Sequence, residues 1–217
     1  MKGYTSEDFI ALFEAIAGRI EREKDHLCAL DGLIGDADHG IAMAQGFNAA
    51  SAAVSALDPA SKMPADIFNA AASAFLNAVG ASSGPLYATA MMRAGAALKG
   101  KQTASDEDVA AALQAMAKGI EDRGKAVVGE KTMVDAWRPA ADALGKAREA
   151  GKALPECLAD AADAAEKGAA ATADMVAGKG RSSRLGERAR GHVDPGAASA
   201  AIIIRVMSDV WSGRSAD

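Results

Sequence analysis

The sequence predicts an all-α fold, on three observations. Apolar residues recur at a spacing near 3.6 almost everywhere along the 217 residues, which is the period of an amphipathic helix. Alanine supplies 55 positions, about a quarter of the chain, and alanine is the best helix former while β-branched residues are sparse. The interruptions are short clusters of glycine, proline and serine, of the kind that join neighbouring helices.

Eight helices follow in order. Thr5 or Ser6 caps the first, which puts Phe9, Leu12, Phe13, Ile16 and Ile20 on one face, with His26 near its end. The second covers about 39–57, and Pro59 and Pro64 bound the connection to a third over 65–79. After Gly80-Ala81-Ser82-Ser83-Gly84-Pro85 a fourth spans 86–99. Ser105, followed by Asp106, Glu107 and Asp108, opens a fifth that reaches Arg123. The sixth runs over 132–150 and stops at Gly151. Pro155 suits a first helical turn, so the seventh covers 155–176, and the eighth, 196–212, carries Ile202-Ile203-Ile204 and Trp211. The Ala-rich stretch 159–173 reads as close helix packing. One domain of residues 1–217 is expected from this length.

Composition narrows the function classes. Half the residues are apolar and only 4% aromatic, which excludes a disordered chain and calls for an aliphatic core. Two cysteines, Cys28 and Cys157, do not make a disulfide scaffold. No run of 18 apolar residues occurs, and the start MKGYTSEDF has no apolar signal region, so a cytoplasmic protein with no membrane partner is expected. A net charge of −5 disfavours a general nucleic-acid partner.

Four loops carry chemistry. In Asp31-Gly32-Leu33-Ile34-Gly35-Asp36-Ala37-Asp38-His39-Gly40, three carboxylates and a histidine share ten positions with three glycines. On one continuous helix Asp36 would point about 140° away from Asp31, whereas a glycine-punctuated turn lets all three carboxylates converge. Converging carboxylates need a cation, and hard oxygen donors suit Mg²⁺ or Ca²⁺. The spacing is not that of an EF-hand, whose twelfth loop position here is Ala42. The competing reading is an acidic turn in which Asp38 caps the next helix.

The second loop, Gly80 to Leu86, sets small residues before a helix. Its backbone N–H groups and the Ser82 and Ser83 hydroxyls can meet an anion, or it is a plain serine-capped turn. The third, Gly124 to Met133, places Lys131 and Thr132 at a helix start, a position suited to an anion or a nucleotide edge, with Met133 as core and Asp135 as a first-turn dipole partner. The fourth, Gly178 to Gly196, holds five Lys/Arg and one acidic residue over 178–192. Either it is a solvated basic loop or a mobile lid that closes on phosphates, with Arg181 the chosen cation. Acidic metal loop, Ser/Gly anion loop and basic lid together describe a Mg-nucleotide site, reached without a G-x-x-x-x-G-K-[ST] P-loop or a protein-kinase glycine loop.

The segments GDADHG (35–40), GASSGPLY (80–87), GEKTMVDAW (129–137) and GRSSRLGERARGHVDPGA (180–197), in this order and across essentially the whole chain, resemble the nucleotide-binding L subunit of bacterial dihydroxyacetone kinases, a module that is also the C-terminal domain of single-chain forms. The resemblance implies an eight-helix antiparallel barrel with the nucleotide site in the loops at one end. It implies that Asp31, Asp36 and Asp38 ligate two Mg²⁺ ions bridging the phosphates of ADP or ATP. His39, Gly40, Ile41 and the neighbouring Ala42 would lie along the nucleotide, Ser82 and Ser83 on phosphate oxygens, Gly124, Thr132 and Met133 around the base. Arg181 would reach a phosphate, and Asp194, Pro195 and Gly196 would close the site. Asp31, Asp36, Asp38 and Arg181 would then carry in-line phosphoryl transfer.

The implied acceptor is dihydroxyacetone or a similar short ketose held on a separate K subunit. The phosphate source is either a phosphotransferase-system donor protein that recharges resident ADP, or free ATP. A homodimer is a further open assembly. Other readings are a subunit for a four-carbon ketose such as erythrulose, a nucleotide-loaded docking module that controls a partner protein, and an Asp/His metallohydrolase. Three positions depart from the family pattern: Ala37 replaces a usual glycine, Arg184 a usual apolar or aromatic residue, and Val193 a usual polar one.

Overall fold

The computed structural model describes residues 3–212, apart from the side chain of Arg181. Within them lie α1 (Ser6–Ile34), α2 (His39–Ser55), α3 (Pro64–Ala78), α4 (Ser83–Ala97), α5 (Asp106–Gly124), α6 (Val134–Glu149), α7 (Leu154–Ala171) and α8 (Pro195–Ser212). Two 3₁₀ segments, Thr172–Asp174 and Arg181–Ala189, lie between α7 and α8. Among the described residues there is no strand, only one antiparallel bridge between Tyr4 and Ala104. No described helix is long and apolar enough to cross a membrane.

Each helix packs on the next in sequence, and α8 returns to pack on α1, so the eight helices close into a ring. Mostly short connections make consecutive helices antiparallel. The interior is aliphatic and aromatic in two zones. Phe9 meets Phe68 and Trp211 edge to face in one, and Phe47, Phe75 and Tyr87 meet edge to face or tilted in the other. In α7, Ala161, Ala162, Ala165 and Ala169 are buried, as close packing of the alanine-rich stretch requires.

The helix starts obey local rules. Thr5, not Ser6, caps α1, and a reciprocal bond to Asp8 completes a capping box. Ser105 and Asp108 repeat the arrangement on α5.

Three boundaries differ from the sequence expectation in ways that shape the site. α1 runs on through Gly32 to Ile34, so Asp31 is a helical residue on its last turn and His26 sits well inside the helix, exposed. α4 starts at Ser83 rather than 86, because Pro85 falls in the first turn, where a missing N–H costs no hydrogen bond. α7 ends at Ala171 rather than 176, and its last turn tightens into the 3₁₀ segment that leads away from the barrel.

Candidate functional site

Four alternate connections, α1–α2, α3–α4, α5–α6 and α7–α8, line one cleft of about 810 Å³ at one end of the ring. The acidic corner comes from α1–α2. Asp31 is buried on α1, while Asp36 and Asp38 are exposed in the turn, and each of the three offers a carboxylate oxygen within 4.8 Å of the others. What folds the turn is Asp31 itself: its Oδ2 accepts from the backbone N–H of Asp38 at 2.9 Å and of His39 at 3.2 Å. α2 is therefore capped from a neighbouring helix, and the Asp38 side chain makes no cap bond.

Two small residues tighten this corner. An added Cβ on Gly35 would lie 2.2 Å from Asp31 Oδ1, so only glycine leaves that oxygen in place. Ala37 has φ +61°, the left-handed region that a Cβ disfavours. The turn forms with alanine at that position, carrying strain that glycine would not.

His39 opens α2 and lines the cleft, its Nε2 2.9 Å from Ser199 Oγ on α8. The Ser199 hydroxyl donates to Gly196 O at 3.0 Å, and the Pro195 carbonyl is a further partner of the imidazole. Burial pushes the imidazole below its ordinary range, and the Asp31 charge opposes that. Ala42 also faces the cleft. Gly40 does not line it: it is buried against α1, where an added Cβ would lie 2.0 Å from Lys24 O. Ile41 points away and is 47% exposed.

Across the cleft, Gly80 to Ser83 present the start of α4, with Ser83 buried and Ser82 exposed. Leu86, Ile120, Gly124, Ala126, Thr132 and Met133 form an apolar wall from α4, α5 and the α5–α6 loop. Thr132 Oγ1 accepts from Val134 N at 3.1 Å, and Thr132 N donates to buried Asp135 at 2.7 Å. Asp135 also accepts from Gly129 N at 2.5 Å, so it shapes this loop from below rather than facing the cleft.

The fourth side is a flap, residues 175–190, which follows the first 3₁₀ segment and contains the second. Lys179, Gly180, Ser182 and Arg184 face the cleft, and the underside, Ala177, Leu185 and Ala189, packs on Ile34 beside the acidic corner. Arg181 opens the second 3₁₀ segment, but its side chain lies outside the described ones. Asp194, Pro195 and Gly196 complete the rim. Asp194 caps α8 through Ala197 N at 2.8 Å. Burial pushes its carboxyl up to about 7, against the downward pull of the Ala197 amide and the Lys131 ammonium.

The sequence singles out neither Ile34 nor Arg123 for the cleft, in the basic loop it favours Arg181 over Lys179, and it does not foresee that Lys131, which borders the cleft, is buried. The signal for Arg123 and Lys179 was their closeness to Gly124 and to the basic loop. For Lys131 there was none, since its partners are 41 and 61 residues away.

Comparison with known proteins agrees with this geometry. The family model described as the DAK2 domain matches residues 33–209. The chain is 40% identical over 189 residues to the PEP-dependent dihydroxyacetone kinase 1, ADP-binding subunit DhaL, of Listeria innocua, covering 87% of this chain and 88% of that protein. It is 38% identical over 186 residues to the corresponding ADP-binding subunit of Escherichia coli, covering 86% and 88%. Among solved structures, the dihydroxyacetone kinase of C. freundii in complex with AMP-PNP and Mg²⁺ superposes with a TM-score of 0.72 at 25% identity. The match covers 96% of this chain but 35% of that longer one.

Proposed function

The chain belongs to the DAK2 domain family, and from that premise we propose that it is the ADP-binding, phosphoryl-transferring subunit of a dihydroxyacetone kinase. The observation that carries this reading is the meeting of Asp31, Asp36 and Asp38 within 4.8 Å in a cleft whose opposite side is the α4 N-terminus and whose cover is basic. Three hard oxygen donors of one sign fit a divalent cation, and the facing amides and cations fit phosphate.

Two Mg²⁺ ions held by Asp31, Asp36 and Asp38 would neutralise phosphate charge as the phosphoryl group moves. The protein's own residues do the rest. The Gly80–Ser83 backbone and hydroxyls hold and orient phosphate oxygens. The wall from Leu86 to Met133 receives the base. Lys179, Arg181 and Arg184 cover the phosphates and exclude water, so that the transferred group meets only the intended acceptor.

The ketose acceptor is assigned to a separate K subunit that docks over this end of the barrel. Resident ADP recharged by a phosphotransferase-system protein is the phosphate source we favour, because relatives 36–40% identical to this chain are named ADP-binding subunits of PEP- or PTS-dependent kinases. On this reading residues 1–217 act as one cytoplasmic nucleotide-binding domain.

The test starts from the protein purified with Mg²⁺, denatured and analysed for released nucleotide by chromatography. Near-stoichiometric ADP is expected. An empty site that takes up Mg-ATP and exchanges it each turnover would replace the resident-ADP reading by an ATP-using one. A protein that neither carries nor binds ADP or ATP would overturn the function.

A further inference from the structure

Lys131 is the one fully buried lysine among the described residues, with 1% of its surface exposed, and it stands at φ +59° in the loop before α6. Its Nζ donates to two backbone carbonyls 2.5 Å away, Thr172 O and His192 O. These are the two roots of the flap, the point where the chain leaves α7 and the point where it returns to α8. Other bonds close the same junction: Gly191 N donates to Ala173 O at 2.8 Å, and Asp194 N to Thr172 Oγ1 at 2.9 Å. Burial works against the ammonium, and the neighbouring Asp194, Asp135 and Asp174 carboxyls favour it to the extent that they are ionised.

A buried ammonium costs far more than a buried methylene chain unless its donors are used, and here they are spent on backbone that belongs to neither α5 nor α6. Hydrophobic packing could hold two helices together at this point. It could not set the spacing of two carbonyls, which is what three directional N–H donors do. Lys131 borders the cleft together with Thr132 and Met133, next in sequence, so one residue ties the wall to both roots of its cover.

We propose that Lys131 is a positioning residue, which holds the roots of the 175–190 flap in register with the cleft wall and thereby sets how firmly the flap retains a bound nucleoside diphosphate. The proposal rests on the nucleotide reading of the cleft for its second half only. The first half, the clamp on the flap, is measurable without any nucleotide.

Two variants test it in the full chain. Lys131→Met keeps the length and removes the donors. Lys131→Gln removes the charge and leaves a shorter amide donor that cannot reach both carbonyls. Lys179, Arg184, Arg188 and Arg190 are exposed, so trypsin reports the flap directly. In the absence of nucleotide, nicking between 179 and 190 is expected to accelerate about tenfold in both variants. The Kd for Mg-ADP is expected to rise about tenfold while the transfer rate at saturating nucleotide stays within about threefold. Nicking at the wild-type rate in folded Lys131→Met would overturn the clamp, and so would a lost transfer rate with unchanged affinity. If Lys131→Met does not fold, Lys131→Gln decides alone by the same readings. A wild-type chain that does not bind Mg-ADP would overturn the nucleotide reading, and the nicking measurement would still decide the clamp.

Discussion

Asp31 caps the helix that begins after Asp38: one carboxylate oxygen on the last turn of α1 accepts the Asp38 amide at 2.9 Å. The same side chain that presents an oxygen to the acidic corner thus also holds the turn that brings the other two carboxylates to it. Asp36 is exposed in the turn itself, outside both helices. The three acids, alike in a list of ligands, therefore differ in what their removal does.

Asp36→Asn is expected to abolish phosphoryl transfer with helical content and Tm close to wild type. Asp31→Ala is expected to lose transfer and also about 1–2 kcal/mol of stability, the usual worth of a helix cap. Chemical denaturation of both variants, without nucleotide or metal, checks this. Equal stabilities would mean that the Asp31 bonds do not hold the turn.

Ala37→Gly relieves a left-handed alanine but adds chain entropy to the unfolded state. The strain removed, about 1–2 kcal/mol, exceeds the entropy cost of about 0.4–1 kcal/mol, so a net gain of about 0.5 kcal/mol is expected. Midpoints of urea unfolding measure it, and a loss of stability would show that the turn relaxes around the alanine.

Asp194 gives the protein an acid-side contribution to stability. Its folded-state carboxyl lies near 7, raised mainly by burial, whereas in the unfolded chain it titrates near 4. Between those values the folded state holds a proton that the unfolded state has lost. The contribution is full below pH 4 and is lost as pH rises to about 7, at on the order of 1.4 kcal/mol per pH unit. Asn keeps the α8 cap without the titration. The stability difference between wild type and Asp194→Asn should therefore shift in favour of the variant from pH 5 to 7 and be level above 8. A difference independent of pH would sink the assignment.

Gly40→Ala is expected to destabilise the fold by about 2 kcal/mol, because the new methyl meets the Lys24 carbonyl rather than a movable side chain. Gly40 packs on α1 at this point, and the substitution reads that contact. Thermal unfolding of the apo protein reads it, and an unchanged Tm would mean that α1 and α2 separate without cost.

The helices were legible because each carries its own evidence: Thr5 with Asp8, Ser105 with Asp108, Pro155 in a first turn, and apolar faces at period 3.6. The ends of α1 and α4 were not. Gly32 and Pro85 are breakers in an isolated segment, but Gly32 sits within a helix that packs along its length, and Pro85 occupies a turn that needs no donor. In the cleft, the acidic, Ser/Gly and basic loops stood out as chemistry interrupting helix. Gly40 and Ile41 stand along the nucleotide only by the family resemblance; successive helical residues face different ways, and here Gly40 turns inward to α1 while Ile41 turns to solvent. Lys131 was illegible for a deeper reason. Local sequence reports the cost of burying a lysine, whereas its compensation comes from Thr172 and His192, brought there by the closure of the ring.

That ring also divides the surface by parity. Every odd-to-even connection reaches the cleft, and the intervening ones, residues 56–63, 98–105 and 150–153, turn at the opposite pole. The 15-residue α3 alone separates the two poles by about 22 Å. The far pole is thus a natural handle: a fluorophore or a surface tether attached at 56–63 would leave the cleft facing outward, with its approach to a docking protein unobstructed.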